Sequence, residues 1–453
     1  MLQTHDKEMT YTLRPYQQEA VDKGVEFFLS PERYNAIEVL PTGCGKSLII
    51  AGLANKLNDN VLVFQPSKEI LEQNLAKMKT YTDECSPYSS SVGKKKISKI
   101  TFATIGSVKS HIEEFKHFRY VIIDEAHCLN SEQGMYVNFL SMLDCKVLGL
   151  TATPFRLTAD TVWKKNAKVA KDDEGNIIYK NDGTPKMVAG MTTVNARLTM
   201  LINEENPFFT KVIYIRQIGD MLKDGFISPL RYFDIRPPRW NEDKMFKNYN
   251  GTDYSEKSVR YMMDASNLTA HITDLCSRLL YPKNGIPRNG ILVFTQFVED
   301  AEQIANELNA REGRCCAAFV SGATTKKNRE RILEEFKNGT IKVLLNVGVL
   351  VVGFDYPALD TIVIGRPTLS LALQYQAVGR ALRLFENKEG WVIDTVGNTN
   401  RFGEVANLYI GESTTGKIET FGWVKNKAGV YGWKQLTGVN LKEQLPEQKT
   451  IQF

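Results

Sequence analysis

Long apolar runs are missing from this sequence. No stretch reaches the ~18 residues that cross a bilayer, so no membrane-spanning helix is expected. The start, MLQTHDKEMTYTLRPYQQEA, lacks the basic, apolar and small-residue order of a secretory leader, and the expectation is a cytoplasmic protein. Cysteine is scarce: seven in 453 residues, an odd number, nowhere spaced C-x-x-C. That argues against both a disulfide framework and a zinc ribbon, and suits a reducing compartment. No tandem repeat is visible. Neither charge dominates, since 57 basic and 52 acidic residues leave a net +5, which permits a polyanionic partner without requiring one. What remains is globular, 43% apolar and 24% charged, too long for one ordinary domain and comfortable for two with an appendage.

The first half repeats one pattern: an apolar strand, a turn, then a helix. AIEVLPTGCGKSLIIAGLANKL and NVLVFQPSKEILEQNLAKM both follow it, and KITFATIGSV, YVIIDEAHCL and KVLGLTATP add short strands with polar or glycine ends. Buried strands alternating with amphipathic helices predict a parallel sheet covered on both faces. The pattern returns in GILVFTQFVEDAEQIANELN, CCAAFVSG, KVLLNVGVLVVGFD, DTIVIGRP and GWVIDTVGN, so two α/β units are expected. Boundaries are placed at 1–225, 226–411 and a C-terminal extension 412–453. An insert at 159–200, with EGN and NDG turns, reads as a β-hairpin, and ETFGWVKNKAGVYGWKQLTG reads as a terminal one.

The sharpest local signal is Pro41-Thr42-Gly43-Cys44-Gly45-Lys46-Ser47, between the strand AIEVL and the helix SLIIAGLANKL. Such a loop turns backbone N–H groups and a helix N-terminus toward a phosphate. Lys46 then reaches the β- and γ-phosphates of ATP, and Ser47 ligates Mg²⁺. The strict G-x-x-x-x-G-K-[ST] form fails at its first glycine, where Leu40 stands; the bland alternative is a tight turn with a surface lysine. The second signal is a buried strand ending in Asp124 and Glu125. Asp124 can hold Mg²⁺, partly through water, while Glu125, opposite it on the pleat, polarises an attacking water. His127 either relays the state of the phosphate site or satisfies a local hydrogen bond.

In motif order along nearly its whole length, the chain resembles a superfamily 2 helicase of the DEAH-box type. Leu13-Arg14-Pro15-Tyr16-Gln17 resembles the Q motif, which implies that Arg14 and Gln17 meet the nucleotide and that Gln17 recognises adenine. PTGCGKS resembles motif I, whose family form also lacks the first glycine. PSKEILEQN and FATIGSV resemble the motif Ia region, DEAH is motif II, and Thr151-Ala152-Thr153 is motif III. LVFTQFVEDAEQIA resembles motif IV, NVGVLVVGFDYP motif V, and Gln376-x-x-Gly379-Arg380-x-x-Arg383 motif VI. The resemblance implies two RecA-like domains with nucleotide in the cleft. Arg380 and Arg383 are then catalytic, and Gly353 and Asp355 sit at the same cleft, Asp355 on the ribose or orienting an arginine. His127, Thr151, Thr153 and Gln376 couple the motifs. If QYQAVGRALRL is helical, the two arginines share a face.

Within the superfamily, LRPYQQEAV, LGLTATPFRL and YQAVGRALRL most resemble RadD-like DNA repair helicases, with UvsW-type branch-migrating helicases more distant. The cysteine-rich zinc modules of the RadD-like group have no counterpart here. Val351 and Val352 stand where motif V often carries hydroxyls.

The resemblance implies nucleic-acid contacts through backbone amides and through Ser67, Thr104 and Thr295. Lys94, Lys95, Lys96 and Lys99 are either a solvated loop or an added contact. The insert carries seven basic and five acidic residues, which suits a junction wedge or a decorative loop. Phe421, Trp423, Tyr431 and Trp433 either stack bases or cap a small sheet. The expectation is an ATP- and Mg²⁺-dependent helicase or translocase on single-stranded or branched DNA, with no membrane partner. The alternatives are an RNA helicase, a remodelling ATPase that does not unwind, and a restriction-complex motor, although no nuclease motif is evident.

Overall fold

The computed structural model describes residues 11–131, 134–169, 177–180, 184–248, 252–288, 290–349, 356–426 and 429–439, with side chains excepted at 159–169 and 187–196. The first sheet is built from β1 (Ala36–Val39), β2 (Val61–Phe64), β3 (Cys85–Ser89), β4 (Lys94–Lys95), β5 (Ile100–Ala103), β6 (Tyr120–Asp124) and β7 (Lys146–Thr151). The chain then makes a ribbon, β8 (Phe155–Val169) against β9 (Met187–Met200), and returns to the sheet as β10 (Lys211–Ile215). The strand order is β10-β1-β7-β6-β2-β5-β3-β4. Only the β3–β4 edge pair is antiparallel within this sheet.

The second sheet holds β11 (Leu230–Asp234), β12 (Ile291–Thr295), β13 (Ala317–Val320), β14 (Val343–Asn346), β15 (Thr361–Gly365) and β16 (Gly390–Asp394). It is parallel throughout, in the order β11-β16-β15-β12-β14-β13. Its central strands are buried along their whole length, as β-branched runs covered on both faces must be. A third sheet, antiparallel, joins β17 (Tyr409–Glu412), β18 (Ile418–Lys425) and β19 (Tyr431–Gln435).

Two apolar clusters follow from strand alternation. Ile37 and Val39 face one side of the first sheet with Leu62 and Phe64. Ala36 and Leu40 face the other, against Ile49 and Leu53, in a cluster that runs on to Val293 and Leu344 of the second sheet. The lobes are therefore packed together; the chain passes from the first to the second at 225–229 and leaves the second at 403–408 for the third sheet. Among the described residues no helix is long and apolar enough to cross a membrane.

The ribbon and the third sheet differ from the sequence reading. Strand pairing begins at Phe155↔Met200 rather than at 159, because FRLT continues the β-prone run out of TATP. The terminal element is three strands rather than a hairpin. The added strand is β17, which pairs with β18 from Tyr409↔Phe421 to Glu412↔Ile418 and starts ahead of the expected boundary.

Candidate active site

The carboxyl ends of β1, β6 and β7, neighbours in the first sheet, deliver the phosphate loop, Asp124 and Thr151 to one edge, the place where open α/β sheets bind ligands. Gly43 and Gly45 both take left-handed backbone angles, φ +87° and +79°. A Cβ on Gly45 would stand 2.6 Å from Gln17 Nε2. The turn then feeds the helix Lys46–Leu57, whose first N–H groups have no partner within the helix.

Opposite this loop the second lobe contributes Gln376, Arg380, Arg383, Leu384 and Pro357. Together the two lobes enclose a cleft of about 330 Å³ that Arg14, Thr42, Gly43, Gly45, Lys46, Ser47, Asp124, Glu125 and Thr153 also line. Lys46 Nζ lies 3.6 Å from Glu125 Oε1. Burial opposes the Lys46 charge, yet Glu125, Cys44 and Asp124 around it hold its pKa above the usual value. The adjacent carboxylates separate in character. Burial, then Glu125, push Asp124 up; Glu125 is held down by Lys46, His127 and Arg380 against its own burial. Glu125 has φ 53°, the left-handed region, which costs a non-glycine residue about 1–3 kcal/mol. Burial pushes both Arg380 and Arg383 down to about 10, leaving them cationic at neutral pH.

A polar chain joins the lobes. The Gln376 amide donates to His127 Nε2 at 2.8 Å. That leaves Nδ1–H of His127 to donate to Thr151 Oγ1 at 3.0 Å, and Thr151 Oγ1 also accepts from Thr153 N–H. Burial lowers the His127 pKa, consistent with the neutral ring this arrangement requires.

Several expected site residues sit elsewhere. Gln17 is 4% exposed and lies behind the loop: its Nε2–H donates to Cys44 O at 2.8 Å and its Oε1 accepts from Arg14 N–H at 2.9 Å. Tyr16 Oη–H donates to the same Cys44 carbonyl. The Gln17 amide caps its own helix and braces the loop. Cys44 is buried, and Pro41 lines a separate small cavity with Tyr375 and Ile410. The helix carrying Gln376 ends at Val378, so the helical condition for a shared face of the two arginines is not met. They follow it through successive i→i−3 bonds, Arg380 N to Ala377 O and Leu382 N to Gly379 O, which still turn both toward the cleft.

Of the expected nucleic-acid residues, Ser67 caps the helix Lys68–Met78 at the end of β2. Thr104 belongs to a hydroxyl cluster with Ser89 and Ser107. Thr295 is a correction: it is 1% exposed, and its hydroxyl has no hydrogen-bond partner, facing a cavity of about 20 Å³ under Leu373 and Ala377. The last residue of a central strand, roofed by the helix Leu371–Val378, cannot reach a backbone phosphate from there. Gly353 and Asp355 lie outside the described residues, as do Val351 and Val352.

Sequence reasoning missed one whole face of the cleft. Ile70, Gln73, Asn74 and Lys77 line it from the helix Lys68–Met78. Their i, i+3, i+4, i+7 spacing was the available signal. Asn74 Nδ2 donates to Asp124 Oδ2 at 3.0 Å and to Gln65 Oε1 at 2.9 Å, which fixes the carboxylate. Phe226, in the first crossing between lobes, lies 4.7 Å beneath the Arg14 guanidinium. It offers a flat apolar wall that no motif announced. β1 also carries Glu38, fully buried, with neither carboxylate oxygen hydrogen-bonded.

These residues fit a nucleoside triphosphate with Mg²⁺. A cation and a glycine cradle meet the phosphates, and Ser47 with a fixed Asp124 supplies the hard oxygen donors that Mg²⁺ takes.

The family model for the Type III restriction enzyme res subunit matches residues 10–156, and that for the helicase conserved C-terminal domain matches residues 271–385. A 51.5 kDa protein of a Lactococcus phage is 25% identical over 80% of this chain and 66% of its own. A DNA 3'-5' translocase XPB2 of Sulfurisphaera tokodaii is 25% identical over 85% of this chain and 81% of its own. Among solved structures, the ATP-dependent Type ISP restriction-modification enzyme LlaBIII bound to DNA covers 85% of this chain and 28% of its own, at 17% identity and a TM-score of 0.58. The chain spans 51% to 66% of the length of several curated relatives that it matches.

Proposed function

We propose that this chain, a member of helicase superfamily 2, is a motor that hydrolyses ATP to move along DNA. The supporting observation is the convergence of Lys46, Asp124 and Glu125 from one lobe with Arg380 and Arg383 from the other around one cleft. In this reading Lys46 and the loop N–H groups bind the phosphate tail, and Arg14 and Phe226 flank the base. Ser47 and Asp124, partly through water, would hold Mg²⁺, which would supply charge neutralisation at the phosphate oxygens. Glu125 orients the attacking water and takes its proton, and the two arginines offset charge that develops during phosphoryl transfer. The Gln376–His127–Thr151 chain reports lobe closure to this machinery. Ser67, Thr104 and backbone amides hold the strand without reading sequence, as a moving enzyme requires.

DNA is the proposed partner because the relative named above is a DNA translocase, and 3'-to-5' movement is the expectation to test. Domain limits of 1–225, 226–411 and 412–453, the last set back to Tyr409 where β17 begins, belong to this reading, as does a place in the cytoplasm, which suits cysteines that form no disulfide. The decisive experiment is ATP hydrolysis measured against single strands, forks, junctions and RNA. Stimulation by DNA over RNA, abolished in Lys46→Ala, is expected; an RNA-only response would reassign the substrate. The restriction-enzyme family match favours a second reading, a translocating motor for a nuclease partner. Displacement of bound protein from duplex DNA without strand separation would select it.

A further inference from the structure

The third sheet has two unlike faces. Alternation puts Thr420, Gly422 and Val424 on one side, pressed against the lobes: a Cβ on Gly422 would stand 2.3 Å from Phe402 O. The other side carries Tyr409, Phe421, Trp423, Tyr431 and Trp433. Register sets Tyr409 opposite Phe421 and Trp423 opposite Trp433. Ring centroids follow one another at 6.5 Å (Phe421–Tyr409), 6.2 Å (Tyr409–Trp433) and 5.3 Å (Trp433–Trp423). The row begins buried, with Phe421 at 3% exposure, and ends open, with Trp423 at 37% and Tyr431 at 56%. A water-facing strand surface is normally polar, so an open aromatic row calls for an occupant.

The row is held firmly. Glu419, on the same side, is buried and accepts from Asn203 of the first lobe and from Thr437. Gln217 exchanges two bonds with the Ile410 backbone, at 2.6 and 3.1 Å, and Gly438 N–H donates to Leu198 O at the foot of the ribbon. Among the described residues the one exposed charge on this face is positive, Lys425, whose Nζ lies 5.7 Å from the Tyr431 ring centre. Flat rings, a flanking cation and no exposed acid match an unpaired nucleic-acid strand better than an acidic or aliphatic surface.

We propose that Trp423 and Tyr431, flanked by Lys425, form a stacking platform for unpaired bases, a nucleic-acid site separate from the ATP cleft. The inference rests on the nucleic-acid reading above. It is tested with the full chain and a labelled oligo-dT strand, measured by anisotropy across a salt series. Trp423→Leu and Tyr431→Leu should each weaken binding about tenfold. The slope of affinity against salt should stay unchanged, because no phosphate contact is removed. Lys425→Ala should instead lower that slope. ATP hydrolysis without nucleic acid and the unfolding temperature should remain near wild type. An abasic strand of equal length provides the same test on unaltered protein: it should bind as weakly as the variants and leave tryptophan emission unquenched. Equal affinity for abasic and dT strands overturns the platform, as does a wild-type dimer that Trp423→Leu disperses. If the wild type binds no strand and no nucleic acid stimulates its ATPase, the motor reading falls first.

Discussion

Lys46 shows how one side chain can be both legible and incompletely described by its motif. The glycine spacing announces its place, but not its counter-ion, Glu125, at 3.6 Å. Lys46→Ala should lower ATP turnover by at least about a hundredfold with the fold intact, checked by steady-state hydrolysis and circular dichroism. Arg383→Ala should leave ATP affinity near normal while turnover drops about a thousandfold, because its cation serves developing charge. A loss confined to affinity would mark it as a ground-state contact. Asn74 and Phe226 escaped the sequence reading for opposite reasons. Asn74 hides in an amphipathic helix pattern, and Phe226 sits in a crossing with no periodicity. Glu38 is legible only as an anomaly in AIEVL. Burial raises its pKa well above the ordinary carboxylate value. The folded state therefore binds its proton more tightly than the unfolded chain does. That stabilisation is complete below about pH 4.5 and is lost as pH rises toward the folded pKa. Glu38→Leu should raise stability at neutral pH by about 1–3 kcal/mol, with the gain shrinking toward about pH 4 in denaturant titrations.

At the level of elements, strands and their order were the most readable part, because continuous buried runs such as YVIID and ILVFT admit few alternatives. Ends were less readable. A shared face for Arg380 and Arg383 depended on QYQAVGRALRL being helical throughout; the helix stops at Val378, and a tighter i→i−3 path carries the arginines onward. Thr295 misled for a related reason: strand position was clear, but the roofing helix was not. The ribbon β8–β9 is the largest element outside the sheets. Two strands alone are marginally stable in water, so a partner along its length is expected. Replacing residues 164–190 with a short Gly-Ser loop should leave ATPase without nucleic acid unchanged, reduce fork affinity more than single-strand affinity, and flatten its salt dependence. Unaltered fork and single-strand binding would make the ribbon ornamental.

For the whole molecule, the sequence indicated two lobes but not how they are tied. Only the structure reveals that the terminal sheet, covalently part of the second lobe's exit, grips Asn203, Gln217 and Leu198 of the first. One polar link between the lobes, Gln376 to His127, is directly testable. Gln376→Ala removes the donor to His127, so the ATPase should lose most of its response to DNA while retaining basal hydrolysis. The ratio of stimulated to basal rate would approach one. A ratio equal to wild type would show that closure is sensed elsewhere.

The length of the ribbon sets a physical ruler. Its first strand has fifteen residues, with Phe155 at its foot buried in the first lobe and register shifts at Asp160/Thr161 and Lys164/Lys168, so at ~3.3 Å per residue it extends at most about 50 Å. Laid along duplex DNA at ~3.4 Å per base pair, that arm covers at most roughly fifteen pairs. A protein bearing it should protect a stretch of duplex ahead of the fork that shortens by about that amount when the arm is removed, and its smallest workable substrate should need a duplex handle of matching length.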